Sequence, residues 1–292
     1  MAMWDAIAQQ IGEATSEPFA VDSTRNLGGG CINSVYWVSG GGRSFFVKSN
    51  DASLAWMFEA EAEGLEAMAA TGTIRVPRPV CWGSAGGQAY LVLEHLEMGG
   101  SVPPERFGRE LAAMHRSCAD RFGWHRDNTI GSTAQPNGWM DDWIRFWRDR
   151  RLGFQLELAA RNGAAKSLVS RGEELMECFP ALFDRYTPVP SLLHGDLWGG
   201  NWASTSAGDP VIFDPATYYG DREADLAMTE LFGGPGARFY DAYNAAWPVD
   251  EGYGVRRTLY NLYHILNHFN LFGGGYAAQA DRMVGRLLSE LR

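Results

Sequence analysis

A chain of 292 residues with 46% hydrophobic and 21% charged residues has the composition of a folded protein with one large or two modest domains. Its net charge of −10, from 25 basic and 35 acidic residues, and the lack of any long basic run exclude a nucleic-acid footprint and favour cationic ligands. Four scattered cysteines (Cys31, Cys81, Cys118, Cys178) form no Cys-x-x-Cys pair and no zinc-like spacing, which reads as a reducing compartment. The first stretch, 1–17, is an amphipathic helix with Asp5 and no basic n-region, and no apolar run approaches the roughly 18 residues of a membrane span. A cytoplasmic protein without membrane or nucleic-acid partners is expected. The 11 tryptophans suit an aromatic cleft, although plain core is their commoner use.

After the first helix, segments 35–38 and 44–47 are short, aromatic and β-branched, and Ser39-Gly-Gly-Gly42 between them is a hairpin turn. A helix follows over 53–70, with Ser53 its candidate cap. Val76-Pro-Arg-Pro79 then stops helix formation and leads into strands at 80–83 and 90–93. Beyond Met98-Gly-Gly100 helical patterns dominate, over 105–117, 139–152, 173–183, 225–232, 255–272 and 277–291. Two short strand-like pieces interrupt them, at 191–194 and 211–213. The expected fold is α+β and bilobal. A small β-rich N-lobe over 1–97 would carry an N-terminal helix, an antiparallel sheet and one Glu-bearing helix, and 98–292 would form a larger helical C-lobe, with ligands between the lobes.

The strongest chemical signal is His194-Gly-Asp-Leu-Trp-Gly-Gly-Asn201, followed by Val211-Ile-Phe-Asp214. An apolar strand delivers a loop holding Asp196, Asn201 follows five residues later, and a second apolar strand ends in Asp214. One such loop residue usually makes only an Asx-turn. Phosphoryl transfer, however, needs a carboxylate near the acceptor hydroxyl plus oxygen ligands for Mg²⁺, and this spacing provides both: Asp196 for the first role, Asn201 and Asp214 for the second. The pattern resembles the catalytic and metal-binding loops of protein-kinase-like phosphotransferases, in the His-Gly-Asp form of choline and aminoglycoside kinases. The resemblance implies ATP and Mg²⁺ as cofactors.

Lys48 ends a strand-like Phe45-Phe-Val47 covered on both faces, so it is directed inward and suits the lysine that holds the α/β-phosphates. Of Glu59, Glu61, Glu63 and Glu66, only Glu61 completes the apolar stripe of Leu54, Phe58, Leu65 and Met68, where a carboxylate needs a cation. Glu61 is therefore the expected partner of Lys48. Gly28, Gly29, Gly30 and Cys31 lie about one hairpin before Lys48 and suit a phosphate-covering loop, in which Cys31 would be a redox-sensitive thiol; a hairpin turn alone also explains three glycines. Glu94-His-Leu96 follows the last strand of the first lobe, where Glu94 and Leu96 would meet adenine through backbone groups.

A finer resemblance, to fructosamine and ketosamine 3-kinases, covers nearly the whole chain. It rests on Phe45-Phe-Val-Lys48, Phe58-Glu-Ala-Glu61, Val76-Pro-Arg-Pro79, Val92-Leu-Glu-His95, Phe122-Gly-Trp124, Asp127-Asn-Thr-Ile-Gly131 and Gln135-Pro-Asn137. It continues through His194-Gly-Asp-Leu-Trp198, Asp225-Leu-Ala-Met228, Glu230-Leu-Phe-Gly-Gly234 and Leu262-Tyr-His-Ile-Leu-Asn-His268. It implies an ATP-dependent kinase that phosphorylates a sugar hydroxyl, the 3-hydroxyl, of ketosamines such as ribulosamine or fructosamine on free or protein-linked amines. Alternatives are an aminoglycoside- or choline-type kinase and a nucleotide-binding pseudokinase. Trp198 is expected to stack on the sugar or to pack between lobes, and His264 and His268 either reach the acceptor, as the resemblance implies, or are core histidines. Their i, i+4 spacing lacks the Glu and the third ligand of a zinc site. Asp221-Arg-Glu-Ala-Asp225 reads as an ion-pair cluster supporting the metal loop.

Overall fold

In the computed structural model, which describes residues 2–29 and 32–292, the chain begins with α1 (Met3–Thr15), β1 (Ser23–Gly29), β2 (Ser34–Gly40), β3 (Arg43–Asp51), α2 (Ala55–Ala70), β4 (Pro79–Ala85) and β5 (Gln88–Glu94). It continues through α3 (Pro104–His115), a hairpin of β6 (Asn128–Ile130) and β7 (Thr133–Gln135), α4 (Trp143–Phe146), α5 (Gly153–Arg161), α6 (Lys166–Cys178) and β8 (Ser191–Leu193). Then come β9 (Trp202–Ser204), β10 (Pro210–Ile212), β11 (Tyr218–Gly220), α7 (Glu223–Leu231), α8 (Ala237–Ala246), α9 (Tyr253–Phe272) and α10 (Tyr276–Glu290). A π-helical segment, Trp147–Leu152, joins α4 to α5. Among the described residues no helix is long and apolar enough to cross a membrane.

The chain forms two compact units, Met1–Pro103 with Ala203–Pro215, and Pro104–Trp202 with Ala216–Arg292. The first unit thus draws in a hairpin from far down the sequence, and backbone pairing is the reason. Gly99 N–H donates to Ser204 O (2.9 Å), Ser206 N–H to Glu97 O (2.8 Å) and Ile212 N–H to Arg75 O (3.0 Å).

The core of the first unit is a five-stranded antiparallel sheet in the order β1-β2-β3-β5-β4. Side chains alternate across β3, so Phe45 and Val47 enter one face and Lys48 the other. On the first face they meet Ile7 and Ile11 of α1, with Val38, Tyr90 and Val92, in a buried cluster. Burying each such aliphatic side chain is worth about 1.5–3 kcal/mol. On the opposite face lies α2, which buries Phe58, Leu65 and Met68. The cap of this helix is not Ser53. Asp51 takes that role by accepting from the Ser53 N–H (2.9 Å) and hydroxyl (2.6 Å), and a 3₁₀ turn, Ala52–Leu54, precedes the α-helix proper. The Ser53 hydroxyl is spent as a donor to Asp51 and cannot serve as the capping acceptor.

The second unit is built around α9, which buries an almost unbroken run from Leu259 to Asn267. Trp143 and Trp147 stack into this core, with Trp147 edge-on to Tyr260 at 4.8 Å. These two tryptophans are packing residues. The two strand-like pieces expected beyond position 100 are β8 and β10; β6, β7, β9, β11, α5 and α8 come in addition. Each added strand is three residues long, too short for an alternation to register, and α8 buries only Phe239 and Tyr243. Helix α3 packs on α8 through Phe107 and Phe239, whose ring centroids are 4.8 Å apart. Gly108 permits this approach, because a Cβ there would lie 2.3 Å from the Phe239 carbonyl oxygen.

Gly108→Ala should therefore destabilise the protein by roughly 1–3 kcal/mol, since the obstructing atom is backbone and cannot rotate away. Urea denaturation measures this, and an unchanged midpoint would show that α8 shifts freely.

Candidate active site

In the first unit Lys48 occupies the central strand β3, between Val35 of β2 and Leu91 of β5. Its Nζ donates to Glu61 Oε1 at 2.6 Å and to Asp214 Oδ1 at 2.6 Å. The structure thus brings together three residues drawn from a strand, a helix and the loop after β10. Burial would by itself lower the Lys48 pKa, but the charges of Asp214 and Glu61 outweigh it and hold the ammonium above the ordinary lysine value. Burial pushes the Glu61 carboxyl up, against the pull of Lys48. The Lys48 side chain is 4% exposed and that of Asp214 48%, so the aspartate is the wet member of the cluster. Its backbone sits at φ 59°, a left-handed conformation that Asp tolerates better than most residues.

In the second unit β8 pairs with β11 and delivers the buried His194. Gly195 follows at φ 83°, and a Cβ there would stand 2.0 Å from Ala216 O, so only glycine fits. The loop beyond is closed by its own groups. Asp196 N–H donates to His194 Nδ1 (3.2 Å), Trp198 N–H to Asp196 O (3.1 Å), and Asn201 Nδ2 to Asp196 O (2.8 Å) and Oδ2 (3.3 Å). His194 therefore accepts a loop amide, a fixing role. Asn201 presents its amide nitrogen to Asp196, so its Oδ1 lies on the other side of the amide.

Beneath the loop lies Asp225 of α7. Its Oδ2 accepts from the His194 N–H (2.7 Å) and its Oδ1 from the Gly195 N–H (2.8 Å). His115 Nε2 donates to Oδ2 at 3.2 Å, and in the neutral ring Nδ1 then accepts from the Tyr243 hydroxyl at 2.7 Å. Burial pushes the Asp225 carboxyl up, but the hydrogen bonds it accepts from His115 and from the Gly195 amide more than offset it, so its pKa lies below the ordinary value. Reading 221–225 as one ion-pair cluster needs revision, because its members act separately. Asp221 accepts from the Tyr186 and Tyr260 hydroxyls, Arg222 donates to the Trp247 and Pro248 carbonyls, and Glu223 pairs bidentately with Arg256. Burial and the Asp221 charge raise the Glu223 carboxyl to about 7, against Arg256.

The remaining expected residues are spread over both units. Gly28 and Gly29 end β1 after a bulge at which Asn26 Oδ1 accepts from the Gly28 N–H (2.7 Å), while Gly30 and Cys31 lie outside the described residues. The Glu94 carboxylate takes Arg75 Nη2 (2.8 Å) and the Arg78 N–H (2.8 Å), which ties β5 to the segment before β4. Leu96 follows two residues later and is half-buried. Trp198 is exposed and edge-on to the exposed Phe232 at 6.2 Å, which in turn meets His268 at 5.0 Å. His268 also faces Phe272 (5.8 Å) and Tyr276 (5.2 Å), completing an aromatic strip. His264 is separated from this strip by burial, and its Nδ1 has no hydrogen-bond partner among the described residues. His115 and Tyr243 support the loop through Asp225, and sequence reasoning missed both. The signal was a polar side chain on the apolar stripe of α3 with Phe107, Leu111 and Met114.

The sequence profile of the fructosamine kinase family matches residues 3–290. A "Probable ketoamine kinase" of Synechocystis sp. is 53% identical over 290 residues, covering 98% of this chain and 97% of the relative. A chloroplastic protein-ribulosamine 3-kinase of Oryza sativa is 43% identical over 295 residues, 99% of this chain and 85% of the relative. The crystal structure named "Putative fructosamine-3-kinase" from Haemophilus somnus superposes with a TM-score of 0.91 at 29% identity, over 98% of both chains. A choline kinase of Streptococcus pneumoniae, at a TM-score of 0.66 and 15% identity over 99% of each chain, shares the protein-kinase-like fold.

Two outcomes follow from this geometry. In a cycle of Lys48→Met and Glu61→Gln, denaturant unfolding should give a coupling of roughly 0.5–3 kcal/mol, and strict additivity would remove the pair from the account. His264 is held down to about 3 by burial first and by the charge of His268 second. The unfolded chain therefore binds a proton that the folded state refuses between the ordinary His value and about 3, and stability falls as pH drops through that window. His264→Leu should flatten this slope relative to wild type in urea melts at stepped pH, and identical slopes would show that His264 protonates in place.

Proposed function

Because this chain belongs to the fructosamine kinase family, we propose that it is an ATP-dependent kinase that phosphorylates a ketosamine on the sugar's 3-hydroxyl. Family membership makes it a phosphotransferase acting on sugar hydroxyls. The observation that carries the finer reading is the pinned Asp196 loop with the exposed Trp198 two residues on, continuous with Phe232 and His268. An aromatic strip offers an apolar wall for a sugar face, and the net charge of −10 favours an acceptor bearing an amine, free or protein-linked. The 3-hydroxyl rests on the resemblance to ribulosamine 3-kinases.

In this reading the acceptor hydroxyl gives its proton to the Asp196 carboxylate as its oxygen bonds to the γ-phosphorus, and ADP leaves. Asn201 positions Asp196 through the two hydrogen bonds from Nδ2, so the base is set before the acceptor arrives. Lys48 is fully charged and steadied by Glu61, which suits it to the α/β-phosphates. Gly28, Gly29, Gly30 and Cys31 would cover the phosphates, and the backbone of Glu94 and Leu96 would meet adenine. Asn201 and Asp214 are hard oxygen donors of the kind Mg²⁺ takes, and the exposed Asp214 carboxylate fits a metal that keeps several waters. When bound, Mg²⁺ would neutralise charge on the transferring phosphates. Trp198 and His268 are assigned to the acceptor. His264 is too buried to touch it and is assigned to the core.

The test is a mass-shift assay with ATP and Mg²⁺ that compares ribulose-lysine, fructose-lysine, kanamycin and choline, run on wild type and Asp196→Asn. A ketosamine should be preferred, and the variant should lose about 10²–10⁴-fold in kcat with nucleotide affinity retained. A higher kcat/KM for kanamycin or choline would overturn the substrate class. Turnover in Asp196→Asn above about a tenth of wild type would overturn the role of the base.

A further inference from the structure

Arg151, in the π-helical segment, is fully buried, and its hydrogen bonds go to neutral acceptors. Nη1 donates to Pro136 O (2.6 Å) and Arg150 O (3.1 Å), and Nη2 donates to Asn137 Oδ1 (2.7 Å). The guanidinium lies 4.1 Å from the Tyr218 ring centroid and 4.7 Å from that of Phe146. Among the described residues no carboxylate pairs with it. Burying a cation in this way is costly, so a stabilising role in packing alone accounts poorly for it.

What the cation does is set a direction. Arginine is a donor only, so Asn137 must present its oxygen to Arg151 and its nitrogen elsewhere. That nitrogen donates to Asn128 Oδ1 (2.8 Å), which turns Asn128 Nδ2 onto the Thr217 carbonyl (2.8 Å). Tyr263 acts likewise from the other side. Its hydroxyl donates to Gln135 Oε1 (2.7 Å), and Gln135 Nε2 then donates to Asn128 Oδ1 (2.8 Å) and to the Ala216 carbonyl (3.0 Å). Three amides, each able to flip in isolation, are thereby locked in one orientation; Asn137 Nδ2 also reaches the Arg126 carbonyl (3.3 Å), and the relay ends on the carbonyls of 216 and 217 through Gln135 and Asn128. Ala216 is the residue whose N–H donates to His194 O (2.8 Å) and whose carbonyl oxygen excludes a Cβ at Gly195.

We infer that Arg151 is a positioning residue for phosphoryl transfer, which acts through the Asn137–Asn128–Gln135 relay to hold Ala216 and Thr217 as the fixed backing of the Asp196 loop. The inference rests on the kinase reading above for its kinetic consequence, while its structural consequence stands alone. The relay also gives the amide side chains of the Asp127–Gly131 and Gln135–Asn137 blocks a common role.

Asn137→Asp separates positioning from stability. It supplies Arg151 with a buried carboxylate, yet cannot donate to Asn128, so the relay loses its direction. Leu287→Ala in α10, which leaves only a core cavity, is the comparison for lost stability alone. Asn137→Asp should lower kcat for ribulose-lysine on the order of 10–100-fold, with both KM values within about twofold of wild type. Amide hydrogen exchange at His194, Gly195 and Ala216 should accelerate in Asn137→Asp beyond its rate in Leu287→Ala. An unchanged kcat, or exchange at those amides no faster than in Leu287→Ala, would overturn the inference. If wild type phosphorylates no ketosamine, the function reading falls and the exchange comparison alone decides the relay. Should Asn137→Asp fail to fold, Tyr263→Phe, which removes only the hydroxyl that orients Gln135, is measured by the same criteria.

Discussion

The two backbone amides at the start of the Asp196 loop, His194 N–H and Gly195 N–H, point into one buried carboxylate. A loop that leaves a strand and turns sharply exposes donors that the sheet no longer satisfies, and burying them unpaired would cost several kcal/mol. Asp225 answers both with one side chain, but only as an anion, and a buried anion needs donors of its own. His115 supplies one, oriented by Tyr243. Removing any member leaves the next unsatisfied, which is why α3, α7 and α8 can be placed relative to the loop in one way only. The close packing of α3 on α8 at Gly108 belongs to the same requirement, since His115 and Tyr243 must meet within hydrogen-bond distance.

The first unit solves the opposite problem. There the buried group is a cation, and Lys48 receives two carboxylates where one would neutralise it. The surplus is borne by Asp214, the exposed partner in a left-handed backbone conformation, whose charge water can stabilise. A site arranged so holds its lysine charged, with the second negative charge on the more solvated of its two carboxylates. Arg151 is the contrasting case of a buried cation given neutral carbonyl and amide acceptors, and its field orients dipoles instead of cancelling a charge.

The Lys48–Glu61 contact could be read from the sequence because it obeys a local rule. A glutamate on an apolar helical stripe must find a cation, and a lysine ending a doubly covered strand must find an anion. The Asp196 and Asn201 spacing was equally local, being set by one loop. What could not be read depended on partners far along the chain. Asp214 joins Lys48 across 166 residues, and His115 meets Asp225 across 110. No periodicity encodes such pairings. The three-residue strands escaped for a different reason, since nothing in Asn128–Ile130 or Tyr218–Gly220 alternates for long enough, and each exists by backbone pairing with a partner, β7 or β8. Ser53 shows the local rule misapplied, as a good capping residue standing two positions after a better one.

His264 and His268 show how position on one helix separates chemistry that composition cannot. Both stand on α9, one turn apart, and His268 Nδ1 donates back to the His264 carbonyl oxygen at 2.7 Å. That bond fixes the His268 ring against Phe232, Phe272 and Tyr276, so a half-buried imidazole becomes part of an aromatic wall. His264, turned inward, is held neutral by burial and stands beside Tyr263, whose hydroxyl orients Gln135. One helix therefore lines the aromatic strip with its outer face and braces the backing of the Asp196 loop with its inner one. A substitution on either face of α9 then disturbs the other without touching Asp196, because the aromatic strip and the loop's support are two sides of the same helix.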